Sequence, residues 1–120
     1  MCLSVANVML NPGTVGLSIL DSFASGVPLV STNCQIHSPE IAYLIDGKNG
    51  VMAENDVVAY ADTVIELLSD ASRLKKLASA CVDSAAKYTV EKMAVRFADG
   101  VEQVLGRLVS NDDVSPASCE

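Results

Sequence analysis

The chain has 120 residues, half of them apolar, and a formal net charge of −7, which allows one domain with a modest core. Lys48 is the only basic residue ahead of Arg73, against eight carboxylates over the same stretch, so no basic stripe exists to displace counterions and nucleic acid and anionic membranes are excluded as partners. The four cysteines, Cys2, Cys34, Cys81 and Cys119, show neither C-x-x-C spacing nor partnering histidines; no metal or redox centre is expected, only free thiols in a reducing cytosol.

The N-terminal stretch has no basic head, and nowhere do eighteen apolar residues run together. A cytoplasmic protein without signal peptide or membrane span is expected. Val5 to Leu10 reads as a short buried parallel strand that ends in Asn-Pro. Asn11 to Gly16 is then a tight turn with two glycines, Gly13 and Gly16. A helix pattern runs from Gly16 to Ser25, Gly26 stops it, and Pro28 to Thr32 reads as a second strand. Together these make a βαβ unit with a right-handed crossover.

The loop Asn33 to His37 carries the only histidine. Ser38, Pro39 and Glu40 read as the N-cap and first turn of a helix. Asp46 to Gly50 (D-G-K-N-G) is a structural turn into a short strand, Val51 to Ala53. Asp56 caps an amphipathic helix through Ser69 with Val57, Tyr60, Ala61, Val64 and Leu68 inward. Ser72 caps a second, with Leu74, Leu77, Ala78, Cys81 and Ala85 inward. Thr89 starts a third, whose stripe is Val90, Met93, Ala94, Phe97, Val101, Val104 and Leu108. No internal repeat is present. The domain is read as residues 1–109, and residues 110–120 as a polar, disordered tail. The fold class predicted is α/β, a three-layer Rossmann-like parallel sheet of about three strands with C-terminal helices.

The turn before the first helix carries the chemistry. Glycines let a backbone approach a ligand closely, and the first amides of a helix lack intrahelical partners, so the helix start is a seat for phosphate. Gly16, Leu17 and Ser18 are the predicted phosphate-binding residues. Asp21 falls on the stripe of Ser18, Ser22 and Ser25, away from Leu20 and Phe23, where a carboxylate accepts hydrogen bonds from sugar hydroxyls.

The string G-L-S-I-L-D-S-F-A-S-G-V-P-L-V-S-T, followed by H-S-P-E-I and D-G-K-N-G, resembles the nucleotide-sugar-binding segment of the retaining, glycogen-synthase-like glycosyltransferases of GT-B fold. The resemblance spans roughly Val5 to Leu108. It implies a UDP- or GDP-linked sugar as donor, transfer to an acceptor hydroxyl with retention, and no cofactor. It assigns Asp21 to the ribose and Glu40 to the sugar side. Gly13 stands where the family has the first glutamate of its E-x7-E pair, and Asp21 is one methylene shorter than the second. The basic pair that neutralises the diphosphate in the family has no counterpart here.

An enzyme of that fold needs two Rossmann-like domains, so the resemblance implies that an N-terminal acceptor domain and the first donor-domain strands are missing. The chain alone is then expected to be inactive, with an exposed apolar edge on its first strand that favours a homodimer. Two alternatives stand beside the transferase: a non-catalytic, self-associating module that kept the fold, and a nucleotide-sugar 2-epimerase-like GT-B protein.

Overall fold

The structure, a computed structural model, describes residues 3–112. A single 3-10 turn, Leu3–Val5, precedes strand β1 (Met9–Asn11), helix α1 (Ser18–Ser25) and strand β2 (Leu29–Thr32). A second 3-10 turn, Pro39–Tyr43, leads to strand β3 (Gly50–Ala53) and helices α2 (Val57–Ser69), α3 (Ala71–Ala85) and α4 (Val90–Asp112). The three strands form one parallel sheet in the order β1-β2-β3, the expected α/β architecture.

The register places Leu10, Val30 and Val51 side by side. Val30 and Val51 join Leu67 of α2 and Leu77 of α3 in a buried cluster, with Val8, Tyr60, Val64 and Leu74 around it. A parallel sheet forms here because its strands are covered by crossover helices, and β2, buried at all four positions, is its centre. Tyr60 donates its hydroxyl to the Val30 carbonyl at 2.9 Å, which fixes the start of α2 over the middle strand.

Several boundaries depart from expectation. The apolar run Val5 to Leu10 is a strand only at its end: Val5 closes the 3-10 turn and is 82% exposed, and the pairing instead extends to Asn11, opposite Ser31. The inward register of α2 is half-buried Tyr60 and Val64 with fully buried Leu67, while Val57, Ala61 and Leu68 face out. Asp70, not Ser72, caps α3 by accepting the Arg73 amide at 2.9 Å. The helix expected after Ser38 is one short 3-10 turn without a side-chain cap from Ser38. Ser22, predicted on the polar stripe of α1, is buried and donates to the Val27 carbonyl at 2.6 Å.

Two glycines are required by the fold. Gly26 ends α1 at φ 66°, and its amide satisfies the carbonyls of Phe23 and Ser22 as a left-handed C-terminal residue should. A Cβ on Gly50 would stand 2.9 Å from the Leu29 carbonyl oxygen, so β3 lies this close to β2 only because position 50 has no side chain.

Cys81 is fully buried on α3 and donates its thiol to the Asn49 carbonyl at 3.1 Å. Burial pushes this thiol from 9.0 up to about 11, against a smaller lowering by the Ser22 hydroxyl. The folded state therefore holds a proton that the unfolded chain releases first, and the stability this confers is lost as pH rises from about 9 to about 11. Urea midpoints are expected to fall over that window in the parent chain and to fall less in Cys81→Ala. Equal loss in both would exclude the thiol as the source. Burial also raises the Tyr60 phenol, which adds a loss of the same sign at higher pH.

The chain divides into two compact units between Lys87 and Tyr88. The second contains α4, on which Val90, Met93, Phe97, Val101 and Val104 are exposed. This helix runs to Asp112, three residues into the stretch expected to be a tail; the remaining residues, 113–120, lie outside the described residues. Among the described residues no helix is long and apolar enough to cross a membrane.

Candidate functional site at the start of helix α1

The carboxyl ends of the three strands meet at one rim, where open α/β sheets take their ligands. The turn from Asn11 to Leu17 lies on it. Asn11, the last residue of β1, donates from Nδ2 to the Ser18 hydroxyl at 3.1 Å and to the Thr14 carbonyl at 3.4 Å. Thr32, the last residue of β2, donates from Oγ1 to the Pro12 carbonyl at 2.6 Å. The Asn-Pro turn is thus tied at one end to the helix it introduces and at the other to the neighbouring strand.

His37 makes the third tie. The Val15 amide donates to its Nδ1 at 3.2 Å, and its Nε2 lies 2.7 Å from the Thr32 carbonyl oxygen. An amide only donates and a carbonyl only accepts, so Nδ1 is the acceptor and Nε2 carries the hydrogen. The Ser38 amide donates to the Val15 carbonyl at 3.1 Å. Val15, fully buried, is held through both its amide and its carbonyl.

Beyond Val15 the backbone donors are open. The first hydrogen bonds of α1 run from Ile19 to the Gly16 carbonyl and from Leu20 and Asp21 to the Leu17 carbonyl. The amides of Gly16, Leu17 and Ser18 have no partner among the described residues, and Leu17 provides no side-chain cap. Because Ser18 Oγ accepts from Asn11, its own O–H remains as a further donor. Neither Gly13 nor Gly16 has positive φ. A Cβ would meet nothing within 4 Å at Gly13, and only the Ser38 hydroxyl, at an ordinary 3.8 Å, at Gly16.

Asp21 stands exposed in the first turn of α1. Glu40 lies in the 3-10 turn after His37 and is half-buried; its Oε2 is shielded from solvent and has no hydrogen-bond partner among the described residues. Ser31 Oγ, on β2 next to the rim, is the second such atom. A cavity of about 230 Å³ opens beside the turn, lined by Pro12, Thr32, Asn55, Asp56, Val57 and Tyr60. It is smaller than the pocket of a drug-sized ligand, and several of its polar groups are engaged within the protein: Thr32 with Pro12, Tyr60 with Val30, and Asp56 Oδ2 with the amides of Val58 and Ala59.

The roles of Asn11, Thr32 and His37 were not read from sequence. An Asn before Pro signals a turn but does not name its partners, and the His37 to Val15 bond spans 22 positions. The D-G-K-N-G turn is structural, as expected: Gly47 takes φ 69°, and Asp46 accepts the Met52 amide at 2.9 Å.

Three solved structures share this fold. Sucrose-phosphate synthase from Thermosynechococcus elongatus superposes with a TM-score of 0.70 at 19% identity over 85% of the chain and 26% of its own length. TarM does so at 0.66 and 20% over 82% of the chain and 20% of its own. Anabaena HepE, crystallised in complex with UDP, does so at 0.68 and 14% over 84% and 29%. The chain therefore spans between a fifth and a third of each neighbour. No curated protein matches it. The family model for glycosyl transferases group 1 matches residues 1–70, more than half of the 120 residues, and the chain belongs to that family.

Proposed function

We propose that the start of α1 grips the diphosphate of a UDP- or GDP-linked sugar, and that the chain is the donor-holding part of a glycosyltransferase that transfers the sugar with retention. The observation that carries this reading is the row of three open amides, Gly16, Leu17 and Ser18, at the head of a helix. Gly16, which the chain's own packing does not demand, leaves the backbone open to a ligand there and supports it. The UDP complex of the HepE neighbour favours a uridine nucleotide.

The chemistry asked of these groups is electrostatic. Charge develops on the diphosphate as the sugar–phosphate bond breaks, and fixed amide dipoles at a helix head stabilise it without reorganising. The Ser18 O–H adds one donor. Asp21, exposed one turn along, accepts from ribose hydroxyls. Glu40, half-buried in the turn after His37, accepts from the sugar. With Lys48 the only Lys or Arg before Arg73, neutral donors offset the diphosphate here, so binding is expected to be weak.

Calorimetry with UDP and with GDP tests the reading. Heat from one of them at sub-millimolar to millimolar ligand is expected, and Asp21→Ala is expected to weaken it about tenfold or more, the value of one net hydrogen bond to a charged group. The same Gly13 and scarcity of cations favour a second reading, a non-catalytic module that kept the fold. Absence of heat with both nucleotides at millimolar concentration would select that module.

A further inference from the structure

We infer that His37 is a positioning residue for the donor phosphate: by clasping the Val15 peptide it aims the open amides of Gly16, Leu17 and Ser18 at the ligand. This role rests on the nucleotide-binding reading above and extends it to a residue that touches no ligand itself.

The three open amides follow directly on Val15; α1 holds the carbonyls of Gly16 and Leu17 through Ile19, Leu20 and Asp21, and the approach from the turn is set by what holds Val15. The orientation of this stretch comes from its two ends. On the helix side, Ser18 is tied to Asn11 through Nδ2. On the other side the hydrogen bonds that hold Val15 among the described residues come from one dipeptide: Nδ1 of His37 receives the Val15 amide at 3.2 Å, and the Ser38 amide reaches the Val15 carbonyl at 3.1 Å. The imidazole is itself anchored, with Nε2–H on the Thr32 carbonyl at 2.7 Å and the Cys34 sulfur 3.4 Å from the same nitrogen.

His37 thus connects the end of β2 to the residue before the phosphate seat, as a rigid ring with one acceptor and one donor. Were Val15 to lose that acceptor, its amide would become a fourth open donor and the row of three would lose its fixed direction. Preorganised donors stabilise a developing charge only while their direction is set in advance. Glutamine offers an acceptor oxygen and a donor nitrogen on a longer, more flexible arm, so it is the conservative replacement; alanine offers neither.

The experiment compares UDP affinity by calorimetry, melting temperature and backbone amide NMR spectra for the 120-residue chain and its His37→Ala, His37→Gln and Ser84→Ala variants. Ser84, on α3 and remote from the turn, serves as a control that lowers stability through its bond to Asn49. His37→Ala is expected to weaken UDP about tenfold and to shift the Gly16, Leu17 and Ser18 amide resonances without ligand. His37→Gln should stay within about threefold of the parent, and Ser84→Ala should melt lower with unchanged affinity. A parent chain that binds UDP as well as its His37→Ala variant does overturns the positioning role and leaves the nucleotide site standing. A parent chain that binds neither UDP nor GDP overturns both.

Discussion

Asn49→Ala is expected to cost about 3 kcal/mol of folding stability, seen as a lower urea midpoint at unchanged slope. Asn49 is 2% exposed and its amide is fully engaged. Oδ1 accepts the Ile45 amide at 2.7 Å, and Nδ2 donates to the Tyr43 carbonyl and the Ser84 hydroxyl, both at 3.0 Å. Its own carbonyl receives the Cys81 thiol. Truncation removes three hydrogen bonds at once and strands part-buried partners, and each such loss costs about 1 kcal/mol. Ser84→Ala removes only one of the three and should cost about a third as much. A measured loss below about 1 kcal/mol for Asn49→Ala would mean that water or a rearranged loop satisfies those partners.

Leu17→Pro is expected to separate binding from folding. Leu17 has φ −62°, the value a pyrrolidine ring imposes, and its side chain is 65% exposed. Its amide has no partner among the described residues, and the residue before it is a glycine, the least hindered predecessor for proline. The substitution deletes one amide from the proposed phosphate grip while breaking nothing in the fold. Melting temperature should hold or rise slightly, since proline narrows the unfolded ensemble. UDP affinity should fall about tenfold or more, because a hydrogen bond to a charged group is worth roughly 1.5–3 kcal/mol. Leu17→Ala keeps the amide and should keep the affinity. Equal binding by Leu17→Pro and the parent would remove the helix head from the site.

The order of elements was legible in the chain because hydrophobic runs, glycine stops and caps agree with one another. Gly26 and Asp56 act as their types predict, at the end of α1 and the start of α2. Boundaries failed where two local choices are nearly equal. Asp70 and Ser72 are both good caps, and only packing selects Asp70, which also closes α2. Leu67 and Leu68 are equally apolar, and only the sheet beneath decides which is buried. Ser22 looked polar and outward because sequence cannot show that the Val27 carbonyl lies within its reach.

The candidate site divides the same way. Open amides at Gly16 to Ser18 were legible from the turn and helix start, as was the exposure of Asp21. The three ties that shape the turn were not, because Thr32 to Pro12 and His37 to Val15 join residues 20 and 22 positions apart. Asn49 was read as a turn residue, yet its partner Ser84 lies 35 positions away. Hydrogen bonds of that span carry no signature in one sequence.

A phosphate grip built from peptide groups, as proposed for the start of α1, would have a consequence for descent. Every residue but proline supplies the same N–H, so substitutions can replace the surrounding side chains, and with them the preferred sugar, while the anion's seat persists. Likeness between such proteins would then be better preserved in the path of the backbone than in its letters; three structures share this chain's fold at 14–20% identity.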